Sequence, residues 1–197
     1  MNILALGDSY TIGEGVSYES SWPGLLCQAM EKQGVKTHMK VVARTGWTTD
    51  ELLAAIDKEE ITETFHAVFL LIGVNNQYRG RGAEEYRGEF KTLLSKSIAF
   101  AKNEPSHIIV LSIPDWAYTP YAEGRDKKAI SAEIDLFNKI NKEEARAAHA
   151  FYVDITGISR EAGTDPSLIT TDGLHPSGKM YQEWVNKIVL EVMIIKK

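Results

Sequence analysis

Five short apolar runs, rich in β-branched residues, punctuate the chain: Asn2 to Leu6, Met39 to Val42, Ala67 to Ile72, Ile108 to Ile113 and Phe151 to Ile155. Runs that stay apolar without alternating fit strands covered on both faces, as in a parallel sheet. Amphipathic stretches fill the intervals. Trp22 to Gln33 brings Trp22, Leu25, Leu26, Ala29 and Met30 to one side. Thr49 to Lys58 follows a capping signal, a threonine ahead of Asp50-Glu51. Ala83 to Lys102, Arg125 to Ala148 and Ser177 to Ile195 carry apolar residues at helical spacing. Strand and helix alternate throughout, so the sequence predicts a three-layer α/β/α fold around a five-stranded parallel sheet. At 197 residues and 44% hydrophobic content, with no repeat or linker, the chain reads as one domain over 1–197.

Composition removes several classes of function. The formal net charge is -5 and no basic stripe is present, which argues against nucleic-acid binding. No apolar run approaches the roughly 20 residues of a membrane span. Met1-Asn2-Ile3-Leu4 enters a strand directly, without a basic segment or cleavage site, so a soluble cytoplasmic protein is expected. A single cysteine, Cys27, excludes an internal disulfide and a cysteine-based metal cluster. No metal and no cofactor are expected.

In an open α/β sheet, ligands bind beyond the carboxyl ends of the strands. The segments there are Gly7 to Gly15, Ala43 to Thr49, Gly73 to Gly82, Pro114 to Gly124 and Thr156 to Pro176. Ser9 lies in the first, within Gly7-Asp8-Ser9. A serine hydroxyl barely ionises at neutral pH and needs a base to act as a nucleophile. Four of the five histidines, His38, His66, His107 and His149, precede strands and fall on the opposite edge. His175, in Asp172-Gly173-Leu174-His175-Pro176, alone follows the last strand. Asp172, Asp154 and Asp115 compete to orient it, and Asp172, three residues before it, is favoured. Asp8 reads as a turn-former that points away from Ser9. The backbone N–H groups of Ser9 and Gly46 and the side-chain amide of Asn75 are candidate oxyanion donors.

Taken together, these residues resemble the SGNH hydrolases of the GDSL esterase/lipase superfamily. Ser9, Gly46, Asn75 and His175 match the four letters in order, and the matching blocks run from residue 7 to residue 176. The resemblance implies a flavodoxin-like sheet and metal-free hydrolysis of esters or thioesters. Ser9 would be the nucleophile, His175 the base and Asp172 its orienting acid. Two departures stand out. Asn76 replaces an aspartate common after the block asparagine. No asparagine precedes Gly46 in Val41-Val42-Ala43-Arg44-Thr45, so that turn must be braced otherwise, with Thr45, Thr48 and Thr49 as candidates.

The expected partner is a small-molecule acyl ester, short-chain or an acetylated sugar, because Asp115 to Arg125 is short for a lid. Trp47, Trp116, Tyr118 and Tyr121 lie in post-strand loops, with Tyr78 beside Asn75. Of these, Trp47, Tyr78, Trp116 and Tyr118 are the candidate substrate contacts. Arg79 and Arg81 follow Asn75 and are candidates to attract an anionic group. The alternative reading is a non-catalytic, flavodoxin-like phosphate- or nucleotide-binding module built on Gly7 to Gly15. It leaves Asn75 and the Asp172/His175 pair unexplained.

Overall fold

Five strands form a single parallel sheet: β1 (Asn2–Gly7), β2 (His38–Ala43), β3 (Ala67–Leu71), β4 (Ile108–Leu111) and β5 (Phe151–Val153). Their order is β2-β1-β3-β4-β5 in the computed structural model, which describes residues 1–194. The apolar runs coincide with these strands to within two residues at either end. The both-faces-buried reading holds for β1, β3 and β4. It does not hold for the edge strands β2 and β5, which are half-buried and carry polar residues such as Lys40, ion-paired to Glu63.

Among the described residues six helices lie between the strands, α1 (Ser9–Ile12), α2 (Trp22–Glu31), α3 (Thr49–Lys58), α4 (Val74–Tyr78), α5 (Ala83–Phe100) and α6 (Lys127–Ala147), and α7 (Thr156–Arg160) and α8 (Gly178–Ile194) follow β5. Helix α2 packs on α8 and helix α5 on α3 and α6, giving a layer on each face. The expected helix end at Ile195 lies outside the described residues. Helices α1, α4 and α7 occupy segments that read as loops in the sequence. Each has four or five residues, too few to display a period.

The sheet is filled from both sides by large apolar groups. Trp22 packs on Phe69 with ring centroids 5.3 Å apart, and Tyr86 stacks on Phe137 at 4.3 Å. Such aromatic pairs add about 0.5–1.5 kcal/mol beyond area burial. Topology then selects one spot for a site. The chain leaves β1 for β2 on one side and returns to β3 on the other, so strand order reverses around β1. Gly7 pairs with Ala43 in β2 and Leu71 in β3. The loops that follow all three strands therefore emerge together.

Candidate active site

Ser9 is the first residue of α1, two positions beyond β1. Asp8 caps that helix: its Oδ1 accepts the Tyr10 N–H at 3.0 Å. The chain turns sharply there, which leaves Ser9 facing the crevice and Asp8 facing the interior, as expected. Asp8 is buried, and its Oδ2 has no hydrogen-bond partner among the described residues. Burial pushes its carboxyl up to about 7, against the stabilising Tyr10 N–H. A buried, weakly ionised carboxyl in this position does not suit a phosphate cradle.

The Asp172–His175 segment folds as a tight loop closed by a bridge between Ile169 and Pro176. Asp172 Oδ1 accepts the N–H groups of Leu174 and His175 at 2.8 and 3.0 Å and the Thr170 hydroxyl at 2.7 Å. Its Oδ2 lies 2.6 Å from His175 Nδ1. A carboxylate only accepts, so Nδ1 carries a proton, and in the neutral imidazole Nε2 is the nitrogen that keeps its lone pair. Partial burial opposes ionisation of Asp172. The His175 ring, the two N–H groups and Thr170 outweigh it and hold the carboxyl well below its ordinary value. Tyr10 packs edge-on against the imidazole at 5.7 Å and fixes its plane.

The competing acids are occupied elsewhere. Asp115 is fully buried, accepts the Ala117 N–H at 3.0 Å and pairs with Arg160 at 2.9 Å. Asp154 accepts from Thr156 N–H and Ser112 Oγ at the start of α7. Of the other histidines, His66 accepts the Asn2 N–H, and His66 and His107 line an apolar pocket at the opposite edge of the sheet.

Gly46 sits in a turn closed by Trp47 N–H to Arg44 C=O, with φ of 84°, a conformation that favours glycine. Its bracing comes mainly from residues not foreseen for it. Arg79 Nη2 donates to Gly46 C=O at 2.6 Å, and Asn75 Nδ2 donates to Trp47 C=O at 3.0 Å. Thr45 binds Glu14, and Thr48 forms a capping box with Glu51 for α3. Asn76 ties this loop to the start of α3: Oδ1 accepts Thr49 N–H at 3.0 Å, and Nδ2 donates to Thr49 Oγ1 at 2.6 Å. Gly73 enters α4 at φ of 129°, and a Cβ there would lie 2.5 Å from the Tyr86 hydroxyl.

These loops enclose a cleft of about 190 Å³ lined by Ser9, Gly46, Asn75 and His175 together with Tyr10, Thr45, Val74, Tyr78, Trp116, Tyr121 and Leu174. Among the described residues no hydrogen bond joins Ser9 to His175, and both line this shared cleft. Tyr78 and Trp116 line it, as anticipated. Trp47 and Tyr118 do not. Trp47 packs against the core and contributes only its carbonyl, and Tyr118 turns to a separate open groove, with Arg160 over its ring. Tyr10, Val74 and Leu174 were missed, although each adjoins a motif residue in sequence. Arg79 and Arg81 are not free to bind an anion: Arg79 pairs with Glu51, and Arg81 with Asp50 and Glu85. Among the described residues no cluster of three His, Cys, Asp or Glu is arranged to hold a metal, and no helix is long and apolar enough to cross a membrane.

Comparison with known proteins gives the chain's relatives and its family. An arylesterase of Vibrio mimicus is 24% identical over 192 residues, covering 98% of this chain and 88% of the relative. The fold matches the acetylxylan esterase Axe2 of Geobacillus stearothermophilus with a TM-score of 0.78 at 17% identity, over 97% of this chain and 93% of that one. It matches a lipase/acylhydrolase of Enterococcus faecalis with a TM-score of 0.75 at 22% identity, over 97% and 94%. The sequence model of the GDSL-like Lipase/Acylhydrolase family aligns with residues 5–183, from the first strand to the last helix, so the chain belongs to that family of carboxylic ester hydrolases.

Proposed function

We propose that the protein hydrolyses small acyl esters through a covalent acyl-enzyme on Ser9. The observation that carries this reading is the 2.6 Å Asp172–His175 pair, which selects the tautomer whose accepting nitrogen is Nε2, on a residue that lines the same cleft as Ser9. In the first step His175 Nε2 takes the Ser9 proton while Oγ attacks the ester carbonyl. The Ser9 and Gly46 N–H groups and the Asn75 amide hold the resulting oxyanion, each worth about 10²–10³ in turnover. The intermediate collapses as His175 protonates the departing alcohol. Water then enters and attacks the acyl carbon as His175 takes its proton, and His175 returns that proton to Ser9 Oγ as the acid leaves. Throughout, Asp172 stays ionised and holds the imidazole in the required tautomer.

A cleft of this size, walled by Tyr78, Trp116 and Tyr121, suits short acyl groups and flat or cyclic alcohols. The relatives named as an arylesterase and an acetylxylan esterase agree with that class. A fluorophosphonate probe read by intact mass tests the assignment. One adduct is expected on the native protein, none on Ser9→Ala, and markedly slower labelling on His175→Ala. Asp172→Asn should lower hydrolysis of p-nitrophenyl acetate by about 10²-fold or more through loss of the productive tautomer. Full labelling of Ser9→Ala would remove the serine from the mechanism.

A further inference from the structure

Three rings form the aromatic wall of the cleft, and a cation sits on all of them. The centroids of Tyr78 and Trp116 are 5.6 Å apart, those of Trp116 and Tyr121 6.0 Å, and those of Tyr78 and Tyr121 6.4 Å. The Arg125 guanidinium carbon lies 5.3, 5.3 and 5.2 Å from the Tyr78, Trp116 and Tyr121 centroids. The wall is anchored from behind. Trp116 is buried, and its Nε1 donates to Gln77 Oε1 at 2.8 Å, while Gln77 Nε2 donates to Glu133 at 2.7 Å. Its outer end is polar: the Tyr78 and Tyr121 hydroxyls are 3.0 Å apart, and Arg125 Nη2 donates to Tyr78 Oη at 3.3 Å.

Arg125 also differs from Arg79, Arg81 and Arg160 in its partners. Arg79, Arg81 and Arg160 each pair with carboxylates, whereas Arg125 has none within salt-bridge distance among the described residues. The acids next to it in sequence are directed elsewhere. Asp126 caps α6 by accepting Ala129 N–H at 3.0 Å, and Glu123 lines the separate open groove. A guanidinium has five N–H donors in a fixed plane, and only one of these is taken up by Tyr78. Contact with three rings and the bond to Tyr78 hold the guanidinium over the wall, so less rotamer freedom remains to be lost when an anion docks.

We propose that Arg125 is a specificity-determining residue that selects esters bearing a carboxylate on the arm lying along the aromatic wall. The role assigned to Arg125 rests on the reading of the cleft as an acyl-transfer site. The test compares kcat/KM within two matched pairs: p-nitrophenyl hemisuccinate against p-nitrophenyl butyrate for the acyl arm, and para-acetoxybenzoate against phenyl acetate for the alcohol arm. In at least one pair the ratio of charged to neutral ester should fall about ten- to hundredfold in Arg125→Gln, the range of a charge-assisted hydrogen bond. Arg125→Lys, which keeps the charge but not the planar fork, should fall between. The native ratio in that pair should also drop as salt is raised. The salt series uses the native protein, so it decides the matter even if loss of Arg125 loosens the wall. A change below about twofold in both pairs, the scale of an ordinary exposed charge, overturns the assignment. Native protein that cleaves neither neutral ester and leaves Ser9 unlabelled would instead overturn the acyl-transfer reading itself.

Discussion

Two aspartates flank Ser9 and His175, and their surroundings drive them in opposite directions. Asp172 is partly open to solvent and accepts four donors, so it is held as a carboxylate. Asp8 is sealed in the interior with one N–H donor and an unpartnered Oδ2, so burial raises it to about 7. The second case has a consequence for stability. An unfolded chain loses the Asp8 proton near its ordinary value of 3.8, while the native state keeps it to about 7. Between those limits the native state binds more protons, so stability falls as pH rises and levels off above the folded value. Asp8→Asn keeps an oxygen for Tyr10 N–H and cannot ionise. It should remove this slope and raise stability at pH 8 by on the order of 1–4 kcal/mol, read from urea midpoints across pH. An unchanged slope would mean that Asp8 ionises inside the native protein without cost.

At the scale of elements, the site depends on how each strand ends. Strand β3 delivers Asn75 through Gly73, whose φ of 129° and contact with Tyr86 exclude a side chain. Tyr86 is itself fixed, its one hydroxyl proton held between Ile72 C=O and Asn141 Oδ1 at 3.1 and 2.7 Å. Gly73→Ala therefore meets both backbone strain and a hydroxyl that cannot withdraw. A loss of about 2–4 kcal/mol in unfolding free energy is expected, with activity falling further because α4 carries Asn75. None of this geometry was legible in the sequence. The strands were, because apolar runs report burial directly, and the long helices were, because they repeat a period. The edge positions of β2 and β5 were hidden because strand order is not local. Bringing Ser9 and His175 to one cleft needed only the rule that sites lie beyond carboxyl ends, and Asp172 was favoured over Asp154 and Asp115 for standing three residues before His175. The aromatic contacts needed the loop conformation between β4 and α6. There Trp116 and Tyr121 turn toward the cleft and Tyr118 away, within six residues of sequence.

At the scale of the whole molecule, the cleft has no scaffold of its own. Its walls come from the loops after β1, β2, β3 and β4 and from the loop before α8, and all of them stand on one continuous core under a single sheet. Loop positions fixed this way should persist while the sheet persists and vanish with it. Unfolding in urea is therefore expected as one cooperative transition, in which esterase activity and the fluorescence of the four tryptophans share a midpoint. Leu70, in the central strand β3 and wholly buried, offers a remote lever. Leu70→Ala should cost about 2–5 kcal/mol from lost burial and the cavity left behind. It should move both midpoints down together and leave kcat under native conditions nearly intact. Activity lost at lower urea than fluorescence would show instead that the loops melt ahead of the sheet, and that their own contacts, such as Arg79 to Gly46 and Asn76 to Thr49, set the limit on function.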